Sequence, residues 1–395
     1  MTSSTLPTIT DVTLEELEAD PYPFYAKWRE ESPVVRVEAI DQVLITRWAD
    51  CERIGADATR VDTHSAIANR IFGPHILTMG GDAHTHLRKA VDAPLRPKAV
   101  RSYVNELVRP VAREYVETIR GLGRLDATTE LLELISVRVV GNIIGIGAHD
   151  DLTLQRWFQH MNLGLNNFGR DEAAQQLADT ATSEVDAFTK TEMDRLLTEP
   201  NETSLSHLLH TATPDGKPRA FEDLIGTIRI LILGGMQEPG HGAAAALYGL
   251  LTQPEQAQAV TNDPGLLSEA IQEGLRWIPP FQAVQRRLLE DFDFDGVIVP
   301  AGTDVQVMIA SANRDPAHYS DPDTFNIYRE PVPIASFGYG AHYCAGHFLA
   351  RAIASASLEE IFAQLPNIRL DPERPAKVTG FGVRGVKNLP VVWDV

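Results

Sequence analysis

Apolar residues recur at helical spacing along most of this chain. Periodicity near 3.6 predicts helices over Leu14–Ser32, His84–Ala93, Pro97–Leu122, Thr128–Ile146, Asp151–Phe168, Glu172–Thr198, Phe221–Leu251, Asp263–Ile278 and Gly346–Gln364. Alternation of period two is confined to a few stretches. VVRVEAI and QVLITR within Pro33–Arg47 predict a hairpin, and Asp293–Met308, with its turn at Pro300-Ala301-Gly302, predicts another. The expected fold class is therefore mainly α with small β-sheets at one side. No low-complexity segment, Gly/Ser linker or internal repeat divides residues 1–395, so a single domain is expected.

Composition narrows the picture by exclusion. A chain of 395 residues, 44% hydrophobic and 23% charged, has the balance of a globular protein with a sizeable core. Thirty-five basic against fifty-four acidic side chains give a net charge of −19, which opposes binding to nucleic acid or an anionic membrane. The opening stretch MTSSTLPTITDVTLEELEAD lacks the basic and apolar regions of a signal peptide, and no apolar run reaches membrane-spanning length. A cytoplasmic location without nucleic-acid or membrane partners is the expectation. Two cysteines, Cys51 and Cys344, are too few for a zinc cluster or a disulfide framework. Cys51 reads as a small buried core residue.

Cys344 is different because of its surroundings, FGYGAHYCAGHFLAR from Phe337 onward. Glycines at 338, 340 and 346 bracket it, permitting tight turns and close approach to a flat ligand. A helical pattern begins directly afterwards, and a thiolate at a helix start is stabilised by the dipole and by free backbone N–H groups. One cysteine in such a loop can be the axial ligand of a haem iron. It cannot build a structural zinc site.

The string matches every fixed position of F-G-x-G-x-[RH]-x-C-x-G and so resembles the haem-binding loop of the cytochrome P-450 family, with Phe337 and Gly338 at its start. The resemblance covers nearly the whole chain, including ADPYPFYAKWREESPVVRV near its beginning. It implies a triangular, mainly helical prism that encloses haem b (Fe-protoporphyrin IX), with Cys344 as iron ligand. Glu273 and Arg276 share a helix face and match the family's Glu-x-x-Arg motif, which implies a buried network closed by a downstream arginine. Arg329 is the candidate, since Thr324 stands where many relatives carry a basic residue. Three segments resemble the family's partners for the haem propionates: His84-x-x-x-Arg88, His342, and Arg286 or its neighbour Arg287, with Arg286 preferred from its spacing to Gly296.

The family's central helix carries an acid–threonine pair, whereas the matching stretch here reads Leu233-Gly-Gly-Met-Gln-Glu238-Pro-Gly-His-Gly242, without threonine. Pro239 removes a backbone donor and is expected to open the helix. Gln237 and Glu238 are then the candidates for carrying protons to oxygen bound at the iron. The string also resembles bacterial guaiacol-type aromatic O-demethylases, and the similarity continues through GLLTQPEQ and AIQEGLRW. That likeness implies O-demethylation of guaiacol or a para-substituted guaiacol to a phenol or catechol plus formaldehyde. It implies a pocket from Phe72, Leu165, Gly234 and Val383, where Leu165 and Val383 replace two clamping phenylalanines. A substrate larger than guaiacol is expected on that basis, unless Phe168, Phe281 or Phe381 refills the space.

No G-x-G-x-x-G loop follows a strand and no four-cysteine set is present, so electrons must come from another protein. The resemblance implies NAD(P)H as their source and a separate reductase carrying FAD and a [2Fe-2S] cluster. It would dock on the cysteine side near Arg351, Lys98, Arg101 or Arg109. Two other readings remain at this stage: a peroxide-driven peroxygenase, and a non-catalytic haem protein that binds or senses a small ligand.

Overall fold

The computed structural model describes residues 6–63, 69 and 72–395. The chain is mainly helical with small sheets. Its axis is one 31-residue helix, Phe221–Leu251, with buried residues along most of its length. A helix buried on nearly all sides must be apolar all round, and ILILGG and GAAAALYGLL supply that. Around this central helix pack Glu133–Ile144, Asp151–Leu165, Leu267–Trp277 and the helix that follows Cys344, His347–Gln364.

The largest sheet has six strands in the order Thr8–Ile9, Val34–Val37, Gln42–Ile45, Asp304–Val307, Val284–Leu288, Val61–Asp62. Val34–Val37 and Gln42–Ile45 form the expected hairpin. The second expected hairpin forms elsewhere. Phe292–Phe294 pairs with Val297–Val299, while Asp304–Val307 lies parallel to Gln42–Ile45 and antiparallel to Val284–Leu288. The turn falls at Asp295-Gly296, where both φ angles are positive (52° and 89°), as a two-residue hairpin turn requires. Pro300-Ala301-Gly302 is a connection between sheets.

The expected helix Leu14–Ser32 is two helices, Leu14–Ala19 and Tyr22–Glu31, parted at Asp20-Pro21 because proline cannot donate into the first helix. Among the described residues four helices arise where the sequence shows no helical periodicity: Trp48–Ala56, Ser204–His210, Pro254–Asn262 and Ile309–Ala312. Each is short, between 4 and 9 residues in length, and amphipathic spacing is poorly sampled over so few turns. Among the described residues no helix is long and apolar enough to cross a membrane.

Candidate functional site

Cys344 sits at the end of a short turn, Gly340–His342, just ahead of the helix His347–Gln364. The loop is held by two backbone bonds, Cys344 N–H to the Phe337 carbonyl and Gly338 N–H to the Ala335 carbonyl, both 2.8 Å. Gly338 has φ +76°, a left-handed conformation that a side chain would strain. Burial pushes the Cys344 thiol up, against the pull of the Gly346 N–H, Arg88 and Arg351. The free thiol is therefore not the thiolate that a helix start alone would favour. A coordinating cation would deprotonate it outright.

Cys344 opens onto a cavity of about 440 Å³. The same cavity is bordered by His84, Arg88, Arg286 and His342, which come from three separate parts of the chain. The His84 and His342 rings lie 4.2 Å apart, and His84 Nε2 and His342 Nδ1 are buried without a partner among the described residues. Burial, then the neighbouring His84, Arg286 and Arg88, hold His342 down to about 4. Arg88 is committed to the loop, donating to the Ala341 and Tyr343 carbonyls and to Asp92. Arg286 is 7% exposed and, among the described residues, donates to the Gln285 and Gly55 carbonyls. Burial pushes it down to about 10, and its one favourable charge partner is Tyr339. Arg287, by contrast, turns outward onto Asp304.

A buried guanidinium with no carboxylate partner among the described residues, and two orphaned imidazole nitrogens beside a thiol, fit an anionic macrocycle whose carboxylates they would bind. Haem fits these residues: Cys344 would hold the iron, and Arg286, His84, His342 and Arg88 would surround the propionates. Phe337 borders the cavity beneath the Arg351 guanidinium, 4.3 Å from its ring centre.

Behind the loop, Glu273 accepts both Arg276 Nε and Nη2 at 2.7 Å, and Arg329 Nε lies 3.1 Å from Glu273 Oε1. Arg276 also donates to the carbonyls of Asn313 and Pro322, so the network pins two connecting segments under the cysteine loop. A separate groove of about 590 Å³ opens beside this network and Arg351. Of the basic residues expected nearby, Lys98 and Arg101 are exposed, Arg109 pairs with Glu359, and Arg351 donates to Gln272.

The central helix separates the two candidate proton carriers. Glu238 borders the cavity with both carboxyl oxygens buried and without a partner among the described residues, and burial raises its pKa against the pull of Lys387. Gln237 is not among the residues bordering the cavity; its Nε2 approaches His241 Nδ1 at 3.4 Å. His241 Nε2 lies 2.8 Å from Glu133 Oε1, and the other Glu133 oxygen accepts from Gln155 and Gln159. Burial, with Lys387, keeps His241 neutral, so the contact is an N–H to carboxylate hydrogen bond. Glu133, burial notwithstanding, is held below the usual carboxylate range by these donors. The helix runs through Pro239 as one α-helix from Phe221 to Leu251 rather than breaking. Its Met236 carbonyl accepts the Ser136 hydroxyl at 2.6 Å.

His241, Glu133 and Lys387 were absent from the sequence reading. Only the four-residue step from Gln237 to His241 hinted at a pair. Phe72, Leu165 and Gly234 border the cavity, and Val383 does not: its backbone bridges Phe281 and its side chain is buried elsewhere. Phe168, Phe281 and Phe381 border the cavity, with Phe168 and Phe381 edge to face at 5.9 Å. The aromatic surface expected to be lost at Val383 is thus supplied by neighbours.

A profile of the family Cytochrome P450 matches residues 153–365. The chain is 29% identical to Cytochrome P450 monooxygenase PikC of Streptomyces venezuelae, over 96% of this chain and 92% of that protein. It is 28% identical to C-19 steroid 1alpha-hydroxylase of Sorangium cellulosum, over 92% and 93%. Among solved structures it resembles CalO2, with 26% identity, 97% and 99% coverage and a TM-score of 0.85. It also shares the fold of P450BioI bound to an acyl carrier protein, at a TM-score of 0.85 with 95% and 99% coverage and 24% identity. With the cysteine loop, the buried Glu273–Arg276 pair and the cation-lined cavity in one molecule, the chain belongs to the cytochrome P450 family of monooxygenases.

Proposed function

We propose that this monooxygenase uses haem b and O-demethylates a compact methoxylated aromatic, guaiacol or a para-substituted guaiacol. Electrons would come from NAD(P)H through a separate reductase carrying FAD and a [2Fe-2S] cluster. Haem, when bound, supplies the iron at which dioxygen is activated for insertion of one oxygen atom into a C–H bond. Hydroxylation of an aryl methoxy group gives a hemiacetal, which collapses to a phenol and formaldehyde. Cys344 would hold the iron, Arg286 and Arg88 would offset the charge of the propionates, and His84 and His342 would donate hydrogen bonds to them. Glu238 keeps a proton on a carboxyl that borders the cavity and can donate it there, in place of the absent threonine hydroxyl.

One observation carries the substrate class: Phe72, Phe168, Phe281 and Phe381 border the same cavity as Cys344. Aromatic walls favour a flat ring through edge and face contacts. The cavity of about 440 Å³ is shared between macrocycle and substrate, which favours one or two rings over four. A second reading, hydroxylation of a sterol-like polycycle, draws on relatives such as the steroid 1alpha-hydroxylase and Vitamin D(3) 25-hydroxylase of Pseudonocardia autotrophica. Incubation with methoxyarenes, NADH and a ferredoxin-type reductase should release formaldehyde in step with substrate loss. Binding and turnover of sterols with no formaldehyde from any methoxyarene would replace the first reading by the second.

A further inference from the structure

Most of the cavity's polar neighbours already have partners or belong to the haem end. His75 does neither. It is 1% exposed, borders the cavity, and precedes the short turn Ile76–Thr78. Its Nδ1 accepts the Leu77 backbone N–H at 3.3 Å, which places the ring proton on Nε2. That Nε2 is buried with no hydrogen-bond partner among the described residues. A buried N–H without an acceptor is rare enough to need an explanation. The cavity is the space from which an acceptor can come.

The ring is also held still. The Phe72 ring stands edge-on to it, with centroids 5.9 Å apart. The His75 carbonyl accepts from both the N–H and the hydroxyl of Thr78. Flanking residues are tied to the central helix: the Ile76 N–H donates to Thr227 Oγ1 at 3.0 Å, and Arg229 donates to the Phe72 carbonyl at 2.9 Å. At Gly226 a Cβ would fall 2.2 Å from the Pro74 carbonyl oxygen, so the loop lies directly on that backbone. A donor fixed before the ligand arrives loses little freedom on binding.

We infer that His75 is the polar anchor of the substrate pocket, donating its Nε2–H to an acceptor oxygen carried by the substrate. The acceptor class is a carbonyl or ether oxygen, or the lone pair of a phenol. His75 stays neutral because burial holds it down to about 4, so it selects by hydrogen bonding rather than by charge. This rests on the reading of the cavity as a monooxygenase substrate site and narrows which rings that site orients.

The test uses ferric holoenzyme and the spectral shift on ligand binding. Each methoxybenzaldehyde isomer is paired with the matching methoxystyrene, which replaces the carbonyl oxygen by CH₂ at nearly equal shape. At least one aldehyde should bind about tenfold tighter than its styrene, the effect of one hydrogen bond. The preference should vanish in His75→Phe and survive in part in His75→Gln, with thermal unfolding showing both variants folded. In the diamagnetic ferrous carbonyl form, the ¹⁵N resonance of His75 Nε2 should shift with the aldehyde and not with the styrene.

A steroid 3-ketone and its 3-deoxy counterpart run in parallel. Ketone preference lost in His75→Phe, with no methoxyarene binding, would sink the methoxyarene reading and leave the anchor standing. Methoxyarene binding with no oxygen preference at any position would overturn the anchor and leave the reading. A preference that persists in His75→Phe, or no binding by either series, overturns the anchor as well.

Discussion

His241 Nε2 lies 2.8 Å from Glu133 Oε1, joining positions 108 residues apart and tying the central helix to the helix Glu133–Ile144. Both side chains are almost fully buried, so neither can turn to water if the other is removed. His241→Ala and Glu133→Ala should each cost about 3 kcal/mol, as broken buried polar pairs do. The double variant should cost clearly less than the sum, because the second change relieves a group the first left unpaired. Urea unfolding of the four proteins in a double-mutant cycle measures the coupling; simple additivity would mean the pair contributes nothing of its own.

The iron ligand admits a spectroscopic prediction. Cys344→His should abolish both monooxygenation and the red-shifted carbonyl band of the ferrous protein, since imidazole does not donate charge as sulfur does. Retention of either property would assign the ligand elsewhere.

Arg286 should affect the loaded and unloaded protein in opposite senses. It is a buried cation with no carboxylate partner among the described residues, so Arg286→Met should raise the stability of the haem-free chain by about 1 kcal/mol or more. The same change should speed haem loss to apomyoglobin several-fold, because the propionates lose a buried cation. Denaturation of the haem-free protein and haem transfer from the holoprotein check the two signs separately.

Glu238 should work as an acid. Glu238→Gln is expected to lower product formation about tenfold or more and to raise peroxide release per NADH consumed. Burial raises this carboxyl and Lys387 opposes the rise, so Lys387→Met should move the alkaline limb of the rate profile to higher pH. Unchanged coupling and rate in Glu238→Gln would pass the role to another group.

His75 gives stability a pH dependence of known sign. Its folded pKa of about 4 lies below the unfolded value of about 6.5, so the unfolded chain takes up the proton first as pH falls. Its contribution is complete above pH 6.5 and is lost as pH drops toward 4, at about 1.4 kcal/mol per unit. Unfolding free energies between pH 4 and 7 should therefore fall less steeply in His75→Phe than in the parent chain. Parallel curves would mean that His75 titrates normally.

How far the sequence could be read depended on whether the signal was local. The bounds Phe221–Leu251 were legible because thirty-one residues sample the helical period many times. The cysteine loop was legible because its chemistry is written in one short string. Asp295-Gly296 was also a local signal, but the Pro300–Gly302 turn beside it masked which strands would pair. Glu133 and His241 could not be matched in advance, since nothing near Glu133 announces an imidazole from another helix. His75 was passed over for a similar reason: its meaning lies in the partner it lacks, which only burial reveals. The gap expected at Val383 does not open, because Val383 does not border the cavity while Phe168, Phe281 and Phe381 do, a placement set by tertiary packing rather than by any local string.

The central helix is also a ruler. Thr227, which holds the His75 loop, and Glu238 are eleven positions apart, about three turns, and so share one face about 16 Å apart along the axis. The distance between the loop that would grip a substrate and the carboxyl that would supply its proton is therefore set by a rigid rod rather than by a hinge. One residue inserted between them would swing Glu238 round by about 100° and leave Gln237 on or near that face instead. A change of reach that keeps both groups on one face would come in whole turns.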